Sequence, residues 1–149
     1  MKPILICLIF GLTLSYNPQA AIAYADTYCR NYNPRYNNYP EYIRGNAAHF
    51  ISECLRAGGL DFSGCANLNK EGMIPDYVSL QNCLVYKYGW KKYTTRPPNY
   101  QPGYPIFRIS HAHTLLVVGF QGNKLLIDAH TTDKCQAPID EKDLVYYYP

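Results

Sequence analysis

The chain has 149 residues, 48% hydrophobic and 17% charged, a globular composition that excludes intrinsic disorder. A formal charge of +3 is too small to define a nucleic-acid binder, because phosphate binding needs basic residues gathered on one face. No membrane span is expected: the apolar run at residues 4–14 is 11 residues long, against the roughly 20 that a bilayer-crossing helix requires.

Met1-Lys2 supplies a positive start, residues 4–14 an apolar stretch, and Thr13-Leu14-Ser15 a small-x-small cleavage site. This is the layout of a secretory signal peptide over residues 1–15, leaving one domain over residues 16–149. A second cleavage site would follow Ala21-Ile22-Ala23. The expected location is therefore secreted, extracellular or periplasmic. Cys7 leaves with the leader, and Cys29, Cys54, Cys65, Cys83 and Cys135 remain. Thiols in a small exported domain usually pair, and the odd number leaves one free or bonded to another chain. No Cys-x-x-Cys spacing favours a zinc site, and no cofactor is expected.

Residues 17–30 read as a helix, with Pro18 where its missing N–H costs nothing and four alanines of high helix propensity. Pro34 ends it, and residues 31–42 form a Tyr/Asn/Pro loop. The best helix starts at Asn46 and stops at Gly58-Gly59; Ala47, Phe50, Ile51, Cys54 and Leu55 make one apolar stripe. A weaker helix covers residues 75–86, and residues 90–105, with four prolines, form a long surface loop. Residues 105–110 read as a strand, residues 113–120 and 124–130 as a hairpin, and residues 144–148 as an edge strand. Helices followed by an antiparallel sheet make this an α+β domain.

Around Gln121-Gly122-Asn123, either two-residue turn puts His113 and His130 on one face of the hairpin. Residue types alone leave three readings of this pair. The histidines are ordinary half-buried polar groups; or His111, His113 and His130 hold a metal, with Asp128 or Asp133 behind them; or a catalytic histidine, oriented by a second one, faces a nucleophile at a helix N-terminus.

Four segments in order favour the third reading. Tyr16-Asn17-Pro18-Gln19-Ala20-Ala21-Ile22-Ala23-Tyr24-Ala25, then Asn46-Ala47-Ala48-His49-Phe50-Ile51-Ser52-Glu53 with Ala57-Gly58-Gly59, then His113-Thr114-Leu115-Leu116-Val117-Val118-Gly119, and finally Ala129-His130-Thr131-Thr132-Asp133 resemble signatures of the putative amidase domain. That family is papain-like and related to the NlpC/P60 cysteine peptidases. The resemblance implies a papain-like fold of N-terminal helices packed on a small antiparallel sheet. It implies a nucleophilic cysteine in the first turn of the central helix, where unpaired N–H groups and the helix dipole lower a thiol's pKa. His113 would be the general base and His130 its orienting partner.

The nucleophile position is held by Ala47. Cys54 lies about 10 Å further along the helix, by its 1.5 Å rise per residue, and reads as a core or disulfide residue. Asn46, His49 and Glu53 stand where the family has Asp, Asn and Gln. Ala47 is then either an engineered replacement in an active cysteine amidase or the mark of a natural pseudoenzyme, and the accompanying departures favour the second. Such a protein would bind a peptide or peptidoglycan-like ligand, or a protein partner, through the former cleft. Tyr32, Tyr36, Tyr39 and Tyr42 either line that cleft or pack over the helix, with packing favoured. The cation–aromatic run from Tyr86 to Tyr93, around Lys87, Lys91 and Lys92, reads as a solvated strand or a patch for anionic glycans rather than a nucleic-acid groove.

Overall fold

The computed structural model describes residues 15–36 and 46–149. The expected leader therefore lies outside the described residues except for Ser15, and so do Tyr39 and Tyr42. The elements are α1 (Pro18–Tyr28), a 3-10 turn (Pro34–Tyr36), α2 (Asn46–Ala57), and α3 (Tyr77–Asn82) running into a π turn (Cys83–Lys87). Six strands complete the fold: β1 (Lys91–Tyr93), β2 (Pro105–Arg108), β3 (His113–Gln121), β4 (Lys124–Ala129), β5 (Lys134–Ile139) and β6 (Leu144–Tyr148). They form one sheet in the order β1-β6-β2-β3-β4-β5, every neighbouring pair antiparallel. The domain is α+β, with its helices packed on the sheet.

Helix α2 runs through the centre. Every residue from Ala47 to Leu55 is buried, so the apolar stripe is only part of its inward surface. A polar residue in such a helix needs a partner inside the protein. Ser52 Oγ donates to the His49 carbonyl at 2.7 Å and also meets the Ile74 main chain. Phe50, Ile51, Cys54 and Leu55 join Leu116, Phe107, Val145 and Tyr147 of the sheet in one core layer. On the other face of the sheet, Ile106, Leu115, Val117, Leu125, Ile127 and Tyr146 form a second layer with Tyr100 from the long loop before β2. That loop covers a sheet face that would otherwise meet water.

The start of the domain is tied to the end of α2. Asn17 Oδ1 accepts the Ala20 N–H and caps α1, while the Asn17 N–H donates to the Gly58 carbonyl at 2.7 Å. The Tyr16 ring packs against Trp90 and Tyr104 and lies so close to Gly58 that a Cβ there would sit 2.4 Å from it. Gly58 is therefore a packing requirement, and the two N-terminal segments singled out in the sequence meet at this point.

Two expectations need correction, and one strand was not foreseen. Residues 91–93 are a strand and not part of the long loop, in keeping with the solvated-strand reading of the cation–aromatic run; Lys91 and Lys92 project from the exposed edge of β1, where charge discourages pairing with another chain. Residues 144–148 are not an edge strand: β6 lies between β1 and β2, and Leu144 to Tyr147 are all buried because both sheet faces are covered. The other edge is β5, which the sequence did not suggest. It alternates exposed and half-buried positions and contains Pro138, a residue tolerated at edges because it has no N–H to give to a further strand.

Two disulfides staple the fold. Cys29–Cys135 joins the end of α1 to β5 across 106 residues, and Cys65–Cys83 closes a shorter loop beside α3. Loop-closure arguments assign about 4–5 kcal/mol to the first and about 3 kcal/mol to the second. Cys54 is the free thiol among the described residues, and it is buried.

Candidate functional site

Ala47 occupies the first turn of α2 and is buried. Its methyl group has neither lone pair nor acidic proton, so the nearest chemistry must come from elsewhere. Cys54 does not supply it. The thiol is fully buried, and burial, reinforced by the charges of Glu53 and Asp128, pushes its pKa well up, away from the thiolate form that attacks carbonyls. The other four described cysteines are held in disulfides.

The two histidines come together by a route the turn did not reveal. The hairpin has the expected two-residue turn, with Gln121 opposite Lys124 and Phe120 opposite Leu125. Val118, however, is an extra residue: the register shifts between Val117 and Gly119, so that Val117 faces Ile127 and Leu116 faces Asp128. One inserted residue inverts the facing of everything beyond it. Alternation from this register puts Thr114, Leu116, Asp128 and His130 on the helix side of the sheet. His113 falls with Leu115 and Val117 on the other side. The expectation of two imidazoles on one face is overturned by this bulge.

The contact that remains runs through the main chain. His113 Nε2 lies 2.9 Å from the His130 carbonyl oxygen. A carbonyl only accepts, so Nε2 carries the proton. Burial holds the His113 imidazole below its usual pKa; the His130 carbonyl works the other way, and the charges of His111, Lys134 and Arg108 add to the depression. His130 is buried among aromatics. Its ring stacks on Phe50 of α2 at 3.6 Å, meets the Tyr32 ring at 4.1 Å, and donates from Nε2 to the Tyr28 carbonyl at the end of α1, 2.7 Å away. Tyr32 in turn donates to Asp133 Oδ1 at 2.8 Å. His130 thus joins α1, α2 and the β4–β5 connection.

That connection is strained. Thr131 and Thr132 both have positive φ, +59° and +73°. These are the central positions of a two-residue hairpin turn that glycine or asparagine normally fills, and β-branched residues adopt the conformation at a cost. The His130–Tyr28 and Tyr32–Asp133 bonds on either side hold the turn in place.

The metal reading finds no support in the arrangement. His111 is exposed on a short 3-10 turn (Ile109–His111), His113 and His130 lie on opposite sheet faces, and among the described residues no group of three metal-ligating side chains is assembled. Tyr36 is buried and packs edge-on against His49, and Tyr32 is half-buried against His130, which is the packing role for these loop tyrosines. The cation–aromatic run is divided: Lys87 donates to the carbonyls of Asp61 and Ser63, Trp90 is buried, and Tyr86 is 83% exposed.

A buried polar network near the start of α2 was not anticipated. His49 Nδ1 lies 2.7 Å from Glu53 Oε2, one turn along the helix, and both are buried. Glu53 Oε1 accepts the Tyr24 hydroxyl at 2.7 Å, Tyr24 accepts from Asn33, and Glu71 Oε2 lies 3.6 Å from His49 Nε2. Burial beside the Glu53 carboxylate raises the Tyr24 phenol far above its ordinary value. The i, i+4 spacing of His49 and Glu53 was the available signal. A pocket of about 340 Å³ lies at the opposite end of α2, lined by Arg56, Leu60, Asp61, Phe62, Glu71 and Gly72; Ala47, His113 and His130 take no part in it.

Comparison with known proteins places the sequence in context. A family model described as "Putative amidase domain" matches residues 15–101, which takes in Ala47 and the His49–Glu53 pair and ends before His113. The chain is 36% identical over 58 residues to "Uncharacterized protein YhbB" of Bacillus subtilis (strain 168); the match covers 39% of this chain and 17% of that relative, so less than a fifth of the relative's length is spanned. No solved structure matches.

Proposed function

Since the chain belongs to the Putative amidase domain family, we propose that it is a non-hydrolytic, exported member, papain-like in descent, that binds a peptide or peptidoglycan-like amide, or a protein partner, without cutting it. The observation that carries this reading is the state of its thiols. Position 47 is alanine, and every other described cysteine is either bridged or sealed in the core. The environment of the histidines supports it further. A general base must present a lone pair to the attacking group, whereas His130 is packed between Phe50 and Tyr32 and His113 turns to the far side of the sheet.

Natural divergence is favoured over engineered replacement by the His49–Glu53 contact. The two positions depart together from the family pattern, and they touch at 2.7 Å. A single inactivating change at position 47 would not bring such a pair with it. Export is supported by the two disulfides, which persist in oxidising compartments.

The test is direct. The purified chain, incubated with peptide amides and peptidoglycan fragments, is expected to release no product, with or without a thiol alkylating agent. Retention of those fragments or of a protein partner, measured by calorimetry or pull-down, is the expected positive result. Turnover of any amide by the chain as it stands overturns the reading.

A further inference from the structure

The pocket of about 340 Å³ at the C-terminal end of α2 is separate from Ala47, His113 and His130. Three short segments wall it: Arg56 from the last turn of the helix, residues 60–63 just beyond it, and residues 68–72. Each is pinned by hydrogen bonds. The Gly59 and Leu60 N–H groups return to the carbonyls of Arg56 and Leu55 at 2.9 and 3.0 Å, which closes the helix end. Lys87 Nζ and the Tyr88 hydroxyl donate to the Asp61 carbonyl, both at 2.6 Å. Asn69 Oδ1 accepts the N–H groups of Glu71 and Met73, each at 3.0 Å. The walls are therefore built before any ligand arrives.

Two groups of opposite charge line this pocket with bonding capacity left over. Arg56 donates one guanidinium N–H to the Glu71 carbonyl, at 3.0 Å, and keeps the rest of its fork. Asp61 accepts the Ser63 N–H at one carboxylate oxygen and the Ser63 hydroxyl at the other, at 2.9 and 2.8 Å, and keeps a lone pair on each. No ion pair joins Arg56 to Asp61 or Glu71 among the described residues, so the two charges do not close on each other. The Glu71 carboxylate is engaged elsewhere, with Oε2 3.6 Å from His49 Nε2. Leu60 and Phe62 line the pocket as buried residues, while Leu68, 38% exposed, leaves apolar surface for an occupant to cover.

A fixed cation, a fixed anion and an apolar wall in one pocket are complementary to a zwitterion with a hydrocarbon side chain. We propose that this pocket binds an apolar α-amino acid, free or as a dipeptide, with its carboxylate on Arg56, its ammonium on Asp61 and its side chain against Leu68. A simple anion would meet the repulsion of Asp61, a simple cation that of Arg56, and a hydrocarbon would strip water from both charges without replacing it. The volume lies at the lower end of the range for small-molecule sites, which suits one or two residues and not a long chain. The site stands whether or not the chain cuts amides or holds a partner in the former cleft.

The experiment follows backbone amide NMR shifts of the oxidised chain, with leucine, alanyl-leucine, N-acetyl-leucine and leucinamide as probes. Leucine or alanyl-leucine is expected to shift the amides of Ser63, Leu68 and Gly72 at millimolar concentration and to leave that of Ala47 in place. N-acetyl-leucine lacks the ammonium and leucinamide the carboxylate, so each is expected to bind at least about tenfold more weakly, as the loss of a charge-assisted hydrogen bond implies. Arg56→Gln should weaken leucine by a similar factor and leave leucinamide unchanged; Asp61→Asn should weaken leucine and leave N-acetyl-leucine unchanged. Both positions are exposed, so neither change disturbs the core. Preference for leucine identifies a free amino acid, and preference for alanyl-leucine a peptide with both termini; either supports the proposal. Equal binding of all four probes, or no shift at tens of millimolar, overturns it. Shifts confined to the surroundings of Ala47 overturn it too while favouring the former cleft, so the two readings fail separately.

Discussion

The His113 imidazole donates to the main-chain carbonyl of His130 and not to its ring. In a cysteine-type triad the third residue steers the base with its side chain. Here the side chain of His130 has gone to Phe50, Tyr32 and the Tyr28 carbonyl. A single inserted residue, Val118, separates the two arrangements, because it reverses the facing of His113 relative to β4.

A thiol introduced at position 47 should therefore not bring amide hydrolysis with it. Ala47→Cys places sulfur at the first turn of α2, where the helix dipole lowers its pKa somewhat. The His113 imidazole still faces the other side of the sheet. Alkylation kinetics are expected to show a modestly activated thiol, while hydrolysis of amide substrates stays at background. Recovery of turnover in Ala47→Cys would mean that His113 reaches α2 after all.

The two histidines should fail differently when removed. His130→Ala deletes a ring enclosed by aromatics together with its bond to Tyr28, a loss of about 3–4 kcal/mol by analogy with other buried aromatic truncations. His113 is half-buried and makes one main-chain bond, so His113→Gln should cost about 1 kcal/mol. Its pH signature is the clearer measure. The His113 pKa is depressed on folding from an ordinary 6.5, so its contribution is lost as pH falls below about 6.5, when the unfolded chain takes up a proton that the folded one resists. Denaturation midpoints across pH 4–8 should flatten on the acid side in His113→Gln.

How much of this was legible in the sequence depended on how local the cause was. Helix α2 announced itself through the spacing of Phe50, Ile51, Cys54 and Leu55, and α1 through Asn17 and Pro18; both lie within a residue or two of the expected bounds. The bulge at Val118 had no such signal, since nothing in Val117-Val118-Gly119 differs from an ordinary strand until β4 pairs with it. Strand β5 was hidden by Pro138, which speaks against a central strand and is harmless at an edge. Burial of His49 and Glu53 was invisible for a related reason: their partners Glu71 and Tyr24, the latter held by Asn33, come from distant segments.

The His49–Glu53 pair can be measured by a double-mutant cycle. Breaking a buried pair from one side strands the other group. His49→Asn and Glu53→Gln alone are each expected to cost about 3 kcal/mol, because the Tyr24 hydroxyl and Glu71 also lose their geometry. The double variant should cost about 1–3 kcal/mol less than the sum. Strict additivity in urea denaturation would show that the two side chains are not coupled.

The strained β4–β5 turn offers a change in the opposite direction. Thr131 and Thr132 hold φ values of +59° and +73°. Glycine reaches this region without a Cβ clash, and asparagine with little, so Thr132→Gly or Thr131→Asn should stabilise the folded chain by about 1 kcal/mol. Thermal unfolding would register this as a rise of a few degrees. If strain at this turn serves ligand binding, the stabilised variants should bind more weakly; if it serves nothing, affinity should be unchanged. A drop in stability would show that the threonine hydroxyls or methyls contribute more than the backbone strain costs.

Where the folded domain must begin also follows from packing. Tyr16 fills the space above Gly58 and lies against Trp90 and Tyr104, Asn17 caps α1 and bonds to the Gly58 carbonyl, and Ala21 is fully buried. A chain starting at Tyr16 keeps all of these contacts. One starting at Tyr24, as cleavage after Ala23 would leave, loses them along with more than half of α1. Burial of the Tyr16 ring alone contributes about 2–3 kcal/mol, a large share of a small domain's net stability. The chain over residues 16–149 is expected to unfold cooperatively with native near-ultraviolet circular dichroism. The chain over residues 24–149 is expected to lack that spectrum, because the Tyr16, Trp90 and Tyr104 rings are no longer fixed against one another. A native-like spectrum and melt from the shorter chain would show that α2 and the sheet close without this segment, and that cleavage at either site yields a folded protein.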